Sequence, residues 1–197
     1  MRFRSLIALV AIFTTLAFKP KFKEEVFKVD TNSSSIKWVA GKVAGQHEGL
    51  VKLESGSLTM DGNNLKNGNF VINMRTISVT DLKGNANANL LNHLKGDDFF
   101  SVEKNPSSSF QITRISNIGA ERVNVTGNLS IKGITNSITF PATVKRQKNT
   151  VVAVAKGVKV DRTKYDIKYR SKSFFGDIGD KAINDEFELD INLVAKK

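Results

Sequence analysis

Glu186-Phe187-Glu188-Leu189-Asp190-Ile191-Asn192-Leu193 is the stretch that decides the fold. Phe187, Leu189, Ile191 and Leu193 alternate strictly with acidic or amide side chains. Side chains of an extended chain point to opposite faces in turn, so this period of two marks a strand with one dry and one wet face. Glu186, Glu188 and Asp190 then share the solvated face and do not form a paired acid and base.

The same pattern recurs back towards the N-terminus. Ser35–Ala44 places Ile36, Trp38 and Ala40 on one parity. Glu48–Met60 carries Leu50, Leu53, Leu58 and Met60, with Gly56 read as a bulge or a close approach. Asp61-Gly62-Asn63-Asn64 reads as a hairpin turn, because these residues accept positive φ. Asn69–Ile77 puts Phe70, Ile72 and Met74 together. Ser109–Ile118 contributes Phe110 and Ile112, and Glu121–Ile131 contributes Val123, Val125, Leu129 and Ile131. Ser137–Lys145 contributes Ile138 and Phe140, and Thr150–Val160 contributes Val152, Val154 and Val158. These segments predict an all-β fold, an antiparallel barrel or sandwich of eight strands in one domain. Closure of the sheet would remove its edges.

One segment breaks the period. Between Asp81 and Lys95, Ala86, Leu90 and Leu94 fall four residues apart with Leu91 beside them, which predicts a short helix stopped by Gly96. Phe99, Phe100 and Pro106 follow in an irregular connection.

The chain has 197 residues and a net charge of +11, from 30 Lys and Arg, and no cysteine. The basic residues are spread along it and read first as a solvated surface; an anionic membrane surface is a second partner class. Disulfides, thiol catalysis and Cys-ligated metal sites are excluded. Arg2 and Arg4, the apolar run Leu6–Leu16 and the small residues of Thr15-Leu16-Ala17 read as a signal peptide over residues 1–17, cleaved near Ala17. Export to a periplasm is the expected localisation. Residues 18–28, with Lys19, Lys21 and Lys23, are expected to be a flexible basic start, and 29–197 the barrel domain.

No catalytic constellation appears. There is no G-x-S-x-G elbow and no phosphate-cradling loop, so the chain is not read as an enzyme. His47 and His93 are the two histidines, and neither has acidic or imidazole neighbours at metal-ligand spacing; no metal or cofactor is expected. Asp161, Arg162 and Tyr165 read as a polar cluster at a strand end, with an Asp–Arg pair fixing the turn. Nucleic acid is not an expected partner. A homodimer is compatible with the pattern, since barrels pair through exposed apolar patches.

Four segments together match the patterns of a known family. Gly127-Asn128-Leu129-Ser130-Ile131-Lys132-Gly133-Ile134-Thr135 through Phe140 is similar to its "G-x-L-T-I-K-G-V-T" segment. His93-Leu94-Lys95-Gly96-Asp97-Asp98-Phe99-Phe100 through Pro106 and Phe110 is similar to its "H-L-K-S-x-D-F-F" segment. Trp38 with Lys42–Gly49, and Asp161–Ile167 with Ile178-Gly179-Asp180, resemble its opening and closing patterns. Two departures stand out: Lys181-Ala182 displaces an aliphatic residue to Ile183, and Thr135-Asn136-Ser137 replaces a Lys-Pro-like step.

These segments resemble the YceI-like family, and the resemblance implies a lipocalin-like, eight-stranded antiparallel barrel with one short helix near one end. It also implies an exported protein that binds a polyisoprenoid, an isoprenoid quinone or another long amphiphile such as a fatty-acid derivative. On that reading Phe70, Ile72, Met74, Phe110, Ile112, Phe140, Val152 and Val154 are expected to face the lumen, with His47 at the mouth near a ligand headgroup. Leu90, Leu94, Phe99 and Phe100 are expected to form a lid that covers one end and gates it. The alternative is an interaction module whose barrel is filled by its own side chains and whose basic face binds a partner. An enzyme acting on a lipid in the same cavity would need inward titratable groups, which the strand pattern does not supply.

Overall fold

The computed structural model describes residues 23–42, 45–176 and 178–197. The segment expected to be a signal peptide, like all residues up to 22, lies outside them. Strands β1 (Glu24–Val29), β2 (Ser35–Lys42), β3 (Gly45–Asp61) and β4 (Asn64–Val79) precede helix α1 (Gly84–Lys95). Strands β5 (Ser107–Gly119), β6 (Arg122–Ile131), β7 (Ile134–Gln147), β8 (Thr150–Asp161) and β9 (Ile183–Lys196) follow it. Tight turns join β3 to β4, β5 to β6, β6 to β7 and β7 to β8, through positive φ at Gly62, Glu121, Lys132, Gly133 and Lys148.

All pairings are antiparallel, in the order β3-β2-β9-β8-β7-β6-β5-β4, and β4 pairs back onto β3 to close the ring. β1 lies in line with β2, and both pair with β3 and β9, so together they fill one of eight positions in a closed barrel. The expectation of eight strands holds, but the flexible start does not extend to residue 28. Val26 is exposed whereas Phe27 is fully buried against Leu58 and Met60. Three charged residues next to a single buried Phe give no alternation long enough to show in the sequence.

Bulges correct two further expectations. The β3–β4 register shifts between Leu53 and Ser55, where β3 carries an extra residue, so that upstream of it Val51 is buried while Leu50 is 43% exposed. In β8 the register shifts between Ala155 and Val158, around Gly157 with φ +61°. An extra residue inverts the side-chain parity. Val158 and Val160 face inward, but upstream the inward residues are Val151, Ala153 and Ala155, not Val152 and Val154. Gly56, as expected, is a close approach: a Cβ there would lie 2.8 Å from the Phe70 ring.

The two ends of the barrel differ. The tight-turn end is plugged by Phe27, Met60, Val151 and Ala195, all fully buried. Arg146 lies over the Phe27 ring at 5.0 Å and donates to the Gly62 carbonyl at 2.8 Å and the Glu25 carboxylate at 2.9 Å. The other end carries every long connection. There α1 begins where Asn87 donates to the carbonyls of Val79 and Leu82, at 2.9 and 3.0 Å. It stops at Gly96, whose φ of −72° is not left-handed; its N–H caps the carbonyls of Asn92 and His93 instead. Leu94 is the one fully packed residue of the expected apolar stripe, Leu90 and Leu91 are half-buried, and Ala86 is exposed.

Asp30 holds the break between β1 and β2. Its carboxylate accepts from Lys196 Nζ at 2.6 Å and from Ser33 Oγ at 2.9 Å. The Lys196 hydrogen bond first, and Ser33 next, hold its pKa down at about 2, below the ordinary 3.8. A depressed carboxyl stabilises the fold above its unfolded pKa and loses that contribution as pH falls through its folded one. Asp30→Asn is expected to lower the urea midpoint at neutral pH, and the gap from the native chain to close between about pH 4 and pH 2.

Candidate functional site

The barrel encloses a cavity of about 180 Å³. Its wall is built from the inward parity of the strands: Ile36 and Trp38 from β2, Leu53 from β3, Phe70, Ile72 and Met74 from β4, Phe110 and Ile112 from β5. β7 adds Ile138, Phe140 and Ala142, β8 adds Ala153 and Ala155, and β9 adds Phe187, Leu189, Ile191 and Leu193. Among the described residues three polar ones border it: Ser108, Arg162 and Asn184. A space lined this way offers water almost no hydrogen bonds, and an apolar chain inside it gains about 0.8 kcal/mol per buried CH₂.

An aromatic row shapes one side. Phe110 lies between Phe70, at a centroid distance of 6.4 Å, and Phe140, at 5.6 Å. Phe110 and Phe140 sit on strands separated by β6 and can touch only because β6 carries Gly127 between them. A Cβ at Gly127 would stand 2.4 Å from Phe110 Cζ. The glycine is thus a slot for the ring.

Of the residues expected to face the lumen, Phe70, Ile72, Met74, Phe110, Ile112, Phe140 and Val154 border the cavity. Val152 does not, for the reason of parity given above; Val154 does, half-buried between inward Ala153 and Ala155. Leu94, Phe99 and Phe100 border the cavity at the helix end, whereas Leu90 packs on the core behind them. His47 is outside the wall. It meets Asp81 at 2.8 Å, while Asp81 also accepts the Glu48 N–H at 3.1 Å, so the pair ties β3 to the chain entering α1. His93 packs edge-on against Phe99 at 4.9 Å and Tyr169 at 4.6 Å under the same end. Among the described residues no cluster of His, Asp and Glu could hold a metal ion.

The polar cluster is real but paired differently from expectation. Asp161 caps the turn after β8 by accepting Thr163 N–H at 3.0 Å and its hydroxyl at 2.6 Å. Arg162 turns away from it and is buried. Its guanidinium donates to the carbonyls of Ile167 at 2.7 Å, Asn184 at 2.9 Å and Ile183 at 3.0 Å, with Asp185 at 3.6 Å. Burial raises the Asp185 carboxyl, but hydrogen bonds from Ser171 and Ser173 and the charge of Arg162 outweigh it, and its pKa is lowered. Burial, and then Asp161, pushes Tyr165 up to about 12. Residues 184 and 185 are too far from 162 in sequence for a local motif to show this clamp.

A model of the YceI-like domain matches residues 27–195. The chain belongs to the YceI-like family. UPF0312 proteins of Azotobacter vinelandii and Pseudomonas aeruginosa are 29% identical over 87 residues and 32% over 83. These matches span 44% and 38% of this chain and 43% of each relative, so the chain aligns with less than half the length of the curated relatives it matches. Burkholderia cenocepacia BcnA superposes with a TM-score of 0.71 at 21% identity, over 85% of this chain and 99% of that one. A polyisoprenoid binding domain from Saccharophagus degradans, implicated in plant cell wall breakdown, gives 0.60 at 12% identity, over 86% and 97%. The likeness is one of fold, and it carries the YceI-like barrel with its helix at one end.

Arg162 borders this YceI-like cavity and ties three main-chain carbonyls together at its end. Arg162→Ala strips a buried donor from three carbonyls and leaves Asp185 without its cation. The expected cost is about 3–5 kcal/mol of stability, read as a lower urea midpoint with an unchanged slope.

Proposed function

We propose that the protein is an exported, non-enzymatic binding protein that carries or sequesters one long amphiphile in its barrel. A polyisoprenoid, an isoprenoid quinone or a fatty-acid derivative fits the chemistry. One observation carries the reading: a cavity whose wall has three polar residues among many aliphatic and aromatic ones. Such a wall selects for length and apolarity, and its described residues include no inward acid–base pair for chemistry. A Saccharophagus degradans protein of the same fold that is described as a polyisoprenoid binding domain supports the ligand class. The apolar run after Arg2 and Arg4 supports export.

The basic balance suits approach to anionic lipid. Phe174 and Phe175 are 52% and 48% exposed, beside Lys168, Arg170 and Lys172, on the connection that covers the helix end. Aromatic side chains next to cations are the composition that sits at a lipid–water boundary.

Trp38 supplies the readout, because it borders the cavity and is the chain's single tryptophan. A prenylquinone should quench it saturably at one per chain, and an unlabelled polyprenol should compete. Ala155→Phe, which fills the lumen, should weaken binding at least tenfold, while Gln111→Phe on the outer face should not. Uptake should be faster from anionic than from neutral vesicles, and salt should remove the difference. Equal binding by Ala155→Phe and the native chain would refute the lumen as the site.

A further inference from the structure

The barrel wall is incomplete along two seams: β4 and β5 pair only from Asn69–Gln111 to Asn73–Ser107, which leaves them apart towards the plugged tight-turn end, and β7 and β8 part towards the helix end. β7 pairs with β6 from Ile134 to Thr143, and β8 pairs with β9 from Thr150 to Asp161. Between themselves β7 and β8 pair only from Thr143–Val154 to Gln147–Thr150. Beyond that point, towards the helix end, each strand has a neighbour on one side only.

Two sequence features keep the β7–β8 seam open. The bulge at Lys156-Gly157 bends β8 just past the last ladder pair, and Gly157 N–H is taken by the Asp190 carboxylate at 2.9 Å. On the opposite lip Pro141 brings no N–H, and a proline within a strand belongs at an unpaired edge. The seam ends where Asn136 Nδ2 donates to the Lys164 carbonyl at 2.9 Å. From that clasp to the first ladder pair it runs about 20 Å, at roughly 3.3 Å per residue.

Both lips belong to the cavity wall. Ile138, Phe140 and Ala142 line one, and Val154, Ala155 and Val158 the other. Outside stand exposed Lys156 and Lys159. The alternative route, the helix end, is a packed cap: Leu94, Phe99, Val102, Tyr165 and Ile167 are buried beneath it, and Lys132 reaches from the β6–β7 turn to the Asp97 carbonyl at 3.4 Å.

We propose that the β7–β8 seam is the lateral portal through which an amphiphile's apolar chain slides between membrane and lumen, its head remaining outside near Lys156 and Lys159. This rests on the lipid-binding reading above. The device needs no unfolding of the cap: parting β7 and β8 along the stretch beyond Thr143 and Val154 breaks no ladder between them, while lifting the cap exposes five buried apolar residues.

The chain's lack of cysteine makes the test clean. Allowing for the bulge residue, Thr139 stands opposite Lys159 across the seam, both exposed. Thr139→Cys with Lys159→Cys, bridged by a thiol-cleavable bismaleimide, closes it. Asp97→Cys with Lys132→Cys, bridged likewise, pins the cap. Transfer of a prenylquinone from phosphatidylglycerol-containing vesicles is followed by Trp38 quenching. The seam bridge should slow transfer at least tenfold, cleavage should restore it, and the cap bridge should leave it within twofold of the native rate. An unslowed seam-bridged protein, or one stopped by the cap bridge alone, would overturn the portal while leaving lumen binding intact. Absence of any quenching in the unbridged protein would overturn both.

Discussion

Ring closure of the hydrogen-bond ladder governs this molecule. Eight positions in a closed antiparallel ring give every strand a partner on both sides over at least part of its length, and they force one side-chain parity of each strand into a common interior. Once β4 returns to β3, the interior is fixed as an apolar space, and what remains for the sequence to decide is how fully that space is filled. The chain fills it unevenly. Phe27, Met60, Val151 and Ala195, roofed by Arg146, occupy the tight-turn end without gaps, while the middle keeps a cavity. The plug and the cavity are therefore products of one constraint applied to different residue sizes.

Where the ring departs from regularity, it does so beside the cavity. Gly127 in β6 gives its Cβ space to the Phe110 ring, so that Phe110 reaches Phe140 across an intervening strand. The Gly157 bulge and Pro141 leave β7 and β8 unjoined in the half of the wall nearest the helix. Arg162 works in the opposite sense and ties the end of β8 to the start of β9 through main-chain carbonyls. A wall that is clamped at one junction and open at the next can hold its shape and still admit a long, thin ligand.

Much of this was legible in the sequence, and the failures have physical causes. Strict alternation in β9 and in Phe70, Ile72 and Met74 of β4 gave strands, faces and wall residues together. In β8 the run Val151-Val152-Ala153-Val154-Ala155 is apolar on both parities, so carrying Val158's face back through the bulge placed Val152 in the lumen when it faces out. β1 was lost among lysines and glutamates because its single buried residue, Phe27, makes no period. His47 lies beside the expected mouth, but its partner is Asp81, and no local signal joins residues 34 positions apart. The Arg162 clamp was hidden for the same reason: the conspicuous neighbour, Asp161, caps a turn, and the true partners come from the next strand.

The central claim is that this interior holds a long apolar molecule and is not left to solvent or to the chain's own side chains. Native mass spectrometry of the mature protein purified from its own cells, followed by organic extraction, tests it most directly. The account requires a mass addition of one lipid per chain that extracts as a prenyl-type or fatty compound. A protein of bare polypeptide mass that stays so after incubation with prenols and prenylquinones would contradict it.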